Sequence, residues 1–193
     1  MNFLTRRVSS LRFFTSFLAL MTVAATCVSA EESSFGPLSF TGVQKKYFGL
    51  VIRSFHINPN NQEAASLNDD TPGVTIGRRY ETKKRSGEAF LEGGVFYNSY
   101  EEVSPVFLAG YTFSALNFPN GGQFRIGGFT GIGYYKELGK TLREDYGVPY
   151  YKGFIPLIGA TISYRYKRNE LRLTTVPGDN LDVILNLSFA RSF

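Results

Sequence analysis

The last thirteen residues of the chain, 181–193, alternate in character. Val183, Leu185, Leu187, Phe189 and Phe193 share one parity, while Asp182, Asn186, Ser188 and Ser192 share the other. A strand lying between lipid and a polar lumen needs this pattern, because successive side chains point to opposite faces. Arg191 breaks it, but near a strand end a guanidinium can reach the headgroups. Taken alone, the stretch also fits an edge strand of a soluble sandwich. Similar stretches recur at 47–56, 73–81, 89–98, 103–115, 124–135, 151–166 and 171–176, separated by turn-forming or polar segments such as Asn58-Pro-Asn-Asn61 and Phe118-Pro-Asn-Gly-Gly122. Residues 57–72 and 136–148 have the composition of solvated loops, and 31–46 reads as an irregular arm or a short amphipathic helix. Residues 103–115 are apolar on both parities, which a lumen holding an acyl chain would need and a water-filled pore would not. Eight strands of this length predict an all-β fold: an eight-stranded antiparallel transmembrane β-barrel whose interior is just wide enough for side chains or one small ligand.

The first thirty residues decide the expected compartment. Arg6 and Arg7 precede an apolar run over 13–23, and Val28-Ser-Ala30 offers small residues before Glu31. These features predict a secretory signal peptide cleaved near Ala30, followed by a single barrel domain over 31–193 located in the cell outer membrane. A lipoprotein site at Cys27 is disfavoured by Thr26 before it. Cleavage removes the only cysteine and three of the basic residues, so the formal charge falls from +5 to about +2. No disulfide or cysteine metal site is then expected, and nothing points to metal, nucleotide or redox cofactors or to nucleic acid. The expected partners are membrane lipids, and a monomer is the expected state.

If the N-terminus starts on the periplasmic side, odd-numbered strands run outward and the two longest connections fall outside, as this barrel class prefers. That count puts His56 and Ser99 on the outer rim without any functional assumption. His56 is the only histidine, hence the one side chain suited to proton transfer near neutral pH. A serine hydroxyl needs such a base to become a nucleophile. Asn98 could orient the ring through its amide oxygen, although it cannot stabilise an imidazolium as a carboxylate would. Gln123, Arg125 and Tyr135 face the lumen by parity, with packing their expected role. The four glycines between 127 and 133 are read as bulges and curvature.

From residue 47 onward the chain resembles the lipid A palmitoyltransferase family (PagP), small eight-stranded outer-membrane barrels. The resemblance rests on Ser54-Phe-His56, on Leu67-Asn-Asp-Asp-Thr-Pro-Gly73, and on Tyr97-Asn-Ser99 where the family has Asp-Ser. It continues through Leu108-Ala-Gly-Tyr111, Gly128-Phe-Thr-Gly131, Phe154-Ile-Pro-Leu157, Val176-Pro-Gly178 and the aromatic C-terminus, in order over about 140 residues. It implies that His56 and Ser99 are catalytic and that a phospholipid donates an acyl chain to lipid A at the outer rim. It also implies that Thr112 stands where the family has the glycine flooring its acyl pocket, which would shorten the chain accepted. Asn98 replaces the family aspartate, and tryptophan is absent, so aromatic girdles would come from Tyr and Phe. Two rivals remain open: a non-enzymatic barrel with a structural, adhesive or lipid-binding role, and a lipid A deacylase.

Overall fold

A computed structural model describes residues 40–57, 68–82, 87–177 and 183–193. The expected leader with its expected cleavage near Ala30, Cys27 and residues 31–39 lie outside the described residues. The strands are β1 (Phe40–Ile57), β2 (Gly73–Thr82), β3 (Gly87–Tyr97), β4 (Val103–Asn117), β5 (Gln123–Tyr134), β6 (Phe154–Tyr166), β7 (Asn169–Pro177) and β8 (Val183–Ser192), with one helix, α1 (Lys136–Tyr146), between β5 and β6. Each strand pairs antiparallel with the next, and β8 pairs with β1, closing the barrel. Closure removes the unpaired edges that an open sheet would present.

The alternation holds around the ring with polar residues inside and apolar ones outside. Arg79, Glu88, Glu92, Arg125, Glu170 and Arg172 are buried in the lumen, while Phe48, Leu50, Ile76, Val95, Phe107, Ile132, Ile158 and Leu171 are exposed on the outer wall. Water would penalise that arrangement, and hydrocarbon favours it. Outward aromatics gather toward both mouths. Tyr134 meets Phe154 at one, with ring centroids 5.4 Å apart, and Phe118 meets Tyr164 at the other, at 5.9 Å. These Tyr and Phe residues stand where tryptophan usually would.

Two expectations change. Residues 40–46 are not an arm or helix but the first third of β1, paired with β2 from Gln44↔Tyr80 onward. Residues 136–146 are helical rather than a polar loop. The Glu102 carboxylate accepts the Lys136 N–H at the helix start, and Gly147, at φ 67°, ends the helix in the left-handed conformation a glycine tolerates. Leu138 is buried, and Gly139 sits so close to Tyr150 and Ile155 that an added Cβ would come within 2.7 and 2.8 Å of them. A loop with one buried leucine and a close-packed glycine four positions before Arg143 carries too little apolar periodicity to advertise this helix.

Candidate functional site

Strand β1 would present His56 to lipid if its alternation ran unbroken, because Tyr47, Gly49 and Val51 face inward on odd numbers. The β1–β8 register shifts between Val51 and Arg53. A bulge places an extra residue in one strand and re-aims the side chains beyond it. Ile52 and Arg53 are both exposed, after which Ser54 is buried and His56 is half-buried on the inward face. The spacing of outward apolar residues records the shift, stepping by two through Phe48, Leu50 and Ile52 and then by three to Phe55.

Ser99 arrives from the β3–β4 turn. Its hydroxyl lies 2.8 Å from His56 Nε2, and the residue is buried. With the ring proton on Nδ1, Nε2 accepts the Ser99 O–H, the arrangement a general base and nucleophile require. The turn holding Ser99 is strongly fixed. Asn98 Oδ1 accepts the N–H of Tyr100 at 2.8 Å and of Glu102 at 3.0 Å, and Asn98 Nδ2 donates to Ser104 Oγ, which in turn donates to the Tyr134 carbonyl. Glu101 takes the left-handed conformation at φ 61°. The Ser99 carbonyl accepts the Asn68 N–H.

Asn98 was expected to orient the histidine ring. Its amide oxygen is instead engaged by the turn's own backbone, so the structure brings His56 and Ser99 together while Asn98 shapes the turn that presents Ser99. The N–H of Tyr100, next to Ser99 and otherwise a natural oxyanion donor, is taken by the same oxygen.

Below this rim the lumen closes in layers. Ser54 Oγ donates to Asn186 Oδ1 at 2.5 Å and lies 2.7 Å from Thr71 Oγ1. Tyr135 is half-buried near Tyr100, and desolvation pushes its hydroxyl well above the usual range. Next comes an internal cavity of about 70 Å³, walled by Phe96, Val106, Leu108, Phe129 and Leu157 and floored by Phe90, Glu92 and Arg172. A water needs only about 10–15 Å³ of such space, so the cavity has room for several waters or a short stretch of hydrocarbon but not for a long acyl chain. The apolar inner parity of β4 therefore packs against the aromatic rings. Thr112 does point inward, but it lies level with Glu88, below the cavity floor. Arg125 holds it through Nε to Oγ1 at 3.3 Å and Nη2 to the carbonyl at 3.2 Å, so Thr112 does not floor the cavity that exists.

The inner half of the lumen is a charge network that the alternation pattern signals only weakly. Glu92 accepts from Tyr47 Oη at 2.5 Å and Arg172 Nη1 at 2.6 Å; Glu170 meets Arg79, Arg165 and Arg172 at 3.0, 2.6 and 3.2 Å. Glu88 meets Arg165 at 2.6 Å and Arg125 at 3.3 Å, and the Arg79 guanidinium lies 4.1 Å from the Tyr47 ring centroid. Their common inward parity was the available signal, and of the network only Arg125 was singled out by it. Among the described residues, no group of acids, histidine and cysteine is arranged to hold a metal ion.

No protein-family model matches the chain, and no curated protein does. Among solved structures, a barrel from work described as the de novo design of transmembrane β-barrels is similar over 77% of this chain and 95% of its own, at 15% identity and a TM-score of 0.47. That likeness concerns shape and assigns no function.

Proposed function

We propose that the chain is an outer-membrane barrel whose His56–Ser99 pair transfers acyl groups between membrane lipids at the outer rim. The supporting observation is the 2.8 Å approach of His56 Nε2 to Ser99 Oγ, reached only because a bulge turns His56 inward. The apolar outer wall supports membrane insertion, and the ordered resemblance to the lipid A palmitoyltransferase family supports the choice of a phospholipid donor and a lipid A acceptor.

In the proposed reaction Ser99 Oγ attacks the donor's ester carbonyl carbon while His56 Nε2 takes its proton. The tetrahedral intermediate collapses to acyl-Ser99, and the leaving lysolipid oxygen takes the proton from His56. An acceptor hydroxyl then attacks the acyl-serine, giving its proton to Nε2, and Ser99 recovers it as the acylated acceptor departs. The interior cavity is too small for a long chain, so the donor's chain stays in the surrounding bilayer and only its ester reaches the pair. This departs from a lumen-held chain and makes Thr112 irrelevant to chain length.

The test is an acyl-transfer assay on the refolded barrel in detergent, with phospholipid donor and lipid A acceptor. Acylated acceptor formed by the wild type and lost in His56→Ala and Ser99→Ala is the expected result. Activity that survives both substitutions removes the mechanism, and free fatty acid without acylated acceptor assigns hydrolysis instead.

A non-catalytic reading is favoured by the complete engagement of the Asn98 oxygen within the turn. In it, the His56–Ser99 bond ties the end of β1 to the β3–β4 turn and the barrel serves as a surface scaffold. No turnover by the wild type or by Asn98→Asp would select this reading.

A further inference from the structure

Three cations stand on the outer wall near the mouth opposite His56 and Ser99. Lys46 on β1 and Arg78 on β2 are directly opposite in register. Arg191 on β8 lies opposite Phe48, two residues along the same face of β1 from Lys46. All three are exposed, while the residues beside them in sequence, Tyr47, Arg79 and Ala190, are buried inside. Like charges directly opposite one another on a sheet repel, so an arrangement of this kind calls for a counter-charge. Arg53 near the other mouth has its own, in Asp69 and Asp70. Among the described residues, none of Lys46, Arg78 and Arg191 joins an ion pair. The acidic residues of β2, β3 and β7 all face the lumen.

Beside Arg78 the wall is dented. Small residues occupy the outward positions Ala89, Ala109, Gly128 and Ala160, leaving an apolar exterior groove of about 820 Å³. The groove opens at Tyr80, two residues along β2 from Arg78, and at Leu91, which is directly opposite Arg78 in register. It is not filled by neighbouring side chains: a Cβ added at Gly128 would meet only the Gly159 carbonyl, at 3.3 Å.

We propose that this face binds one anionic phospholipid, with its phosphate-bearing headgroup against Lys46, Arg78 and Arg191 and one acyl chain in the groove across β3 to β6. Charge complementarity selects the headgroup, because basic clusters at a membrane surface attract anionic lipids, and the groove supplies a chain site that starts beside the same arginine. The inference rests on the reading that the barrel spans a membrane and is independent of acyl transfer, since the reactive pair is at the opposite mouth.

The test is native mass spectrometry of the refolded full barrel equilibrated with phosphatidylglycerol or phosphatidylcholine of identical chains, with inorganic phosphate as a chain-free competitor. Phosphatidylglycerol is expected to be retained at least about tenfold over phosphatidylcholine. The triple substitution Lys46→Gln, Arg78→Gln, Arg191→Gln should bring that ratio near one. Gly128→Leu should weaken retention of phosphatidylglycerol while leaving its preference over phosphatidylcholine, and equimolar phosphate should not displace it. Equal retention by the wild type, a preference untouched by the triple substitution, retention untouched by Gly128→Leu, or displacement by equimolar phosphate would each overturn the proposal. Co-flotation with vesicles and β-sheet circular dichroism separate the two readings. A variant or wild type that does not insert removes the membrane reading, whereas insertion without lipid preference removes only this site.

Discussion

The two halves of the lumen handle buried polarity in opposite ways. The inner half is charged: four arginines and three glutamates interlock with Tyr47, away from solvent. The outer end is built from neutral groups: Ser54 bonds both Thr71 and Asn186, and His56 meets Ser99 where the lumen opens. Desolvating a charge costs several kcal/mol in effective terms unless partners replace the water, so charges are tolerated only where each finds several opposite ones. A reactive pair has the contrary need. A histidine locked between carboxylates would be held charged and could not accept a proton, whereas a half-buried one on a neutral rim can. The charged layer thus fills and fixes the barrel, and the neutral layer leaves chemistry available.

That contrast can be broken from either side, and the largest effect is expected at the rim. Ser99→Ala should lower acyl transfer by about 10³-fold or more, while urea unfolding in vesicles shifts by no more than about 1 kcal/mol for one lost neutral hydrogen bond. In the inner half the expectation reverses. Glu170→Ala leaves Arg79, Arg165 and Arg172 short of a counter-charge and should cost about 3–5 kcal/mol of unfolding free energy. The double substitution Glu92→Leu, Arg172→Leu should cost much less than either single one, since removing both charges leaves neither stranded.

Asn98 tests how far the outer rim depends on the turn that presents Ser99. Asn98→Ala strands the Tyr100 and Glu102 N–H groups and should cost about 1–3 kcal/mol, with transfer falling because Ser99 loses its turn. The smallest effect lies on α1, where the Lys140 ammonium, bonded to Glu137 at 2.9 Å, holds that carboxyl below its ordinary range. A depressed carboxyl stabilises above its ordinary titration and loses that contribution as pH falls through the lowered value. Lys140→Met should raise the Glu137 midpoint, seen by NMR titration, with no measurable change in unfolding, since the pair lies at the surface in contact with solvent.

Much of the fold was legible because a barrel writes its closure into period two. The outward apolar parity of β8, the polar turns and the even strand count carried the architecture, and the opening of β2 and β4 fell where alternation placed it. What was not legible depended on departures from that period. Residues 40–46 mix lysines, Gln44 and Gly42 and do not alternate cleanly, because Lys45 turns inward to Glu81 while Lys46 turns out. The helix after β5 rests on a cap from Glu102, distant in sequence. At the site, spacing placed His56 and Ser99 on one rim, but their contact depends on a bulge whose trace is the three-residue step from Ile52 to Phe55. The part Asn98 plays in the turn was not legible, because an amide beside a serine suggests chemistry, while its partners, the N–H groups two and four residues on, are local backbone. Thr112 had the predicted direction and the wrong depth, which parity does not report.

The most direct test of a reactive rim is labelling of the refolded barrel with a lipid-like fluorophosphonate, read by peptide mass spectrometry. A working His56–Ser99 pair predicts a stoichiometric adduct on Ser99 that is lost in Ser99→Ala and reduced by at least about 10²-fold in rate in His56→Ala. An unlabelled wild type, or a Ser99 adduct formed equally fast without His56, would contradict it.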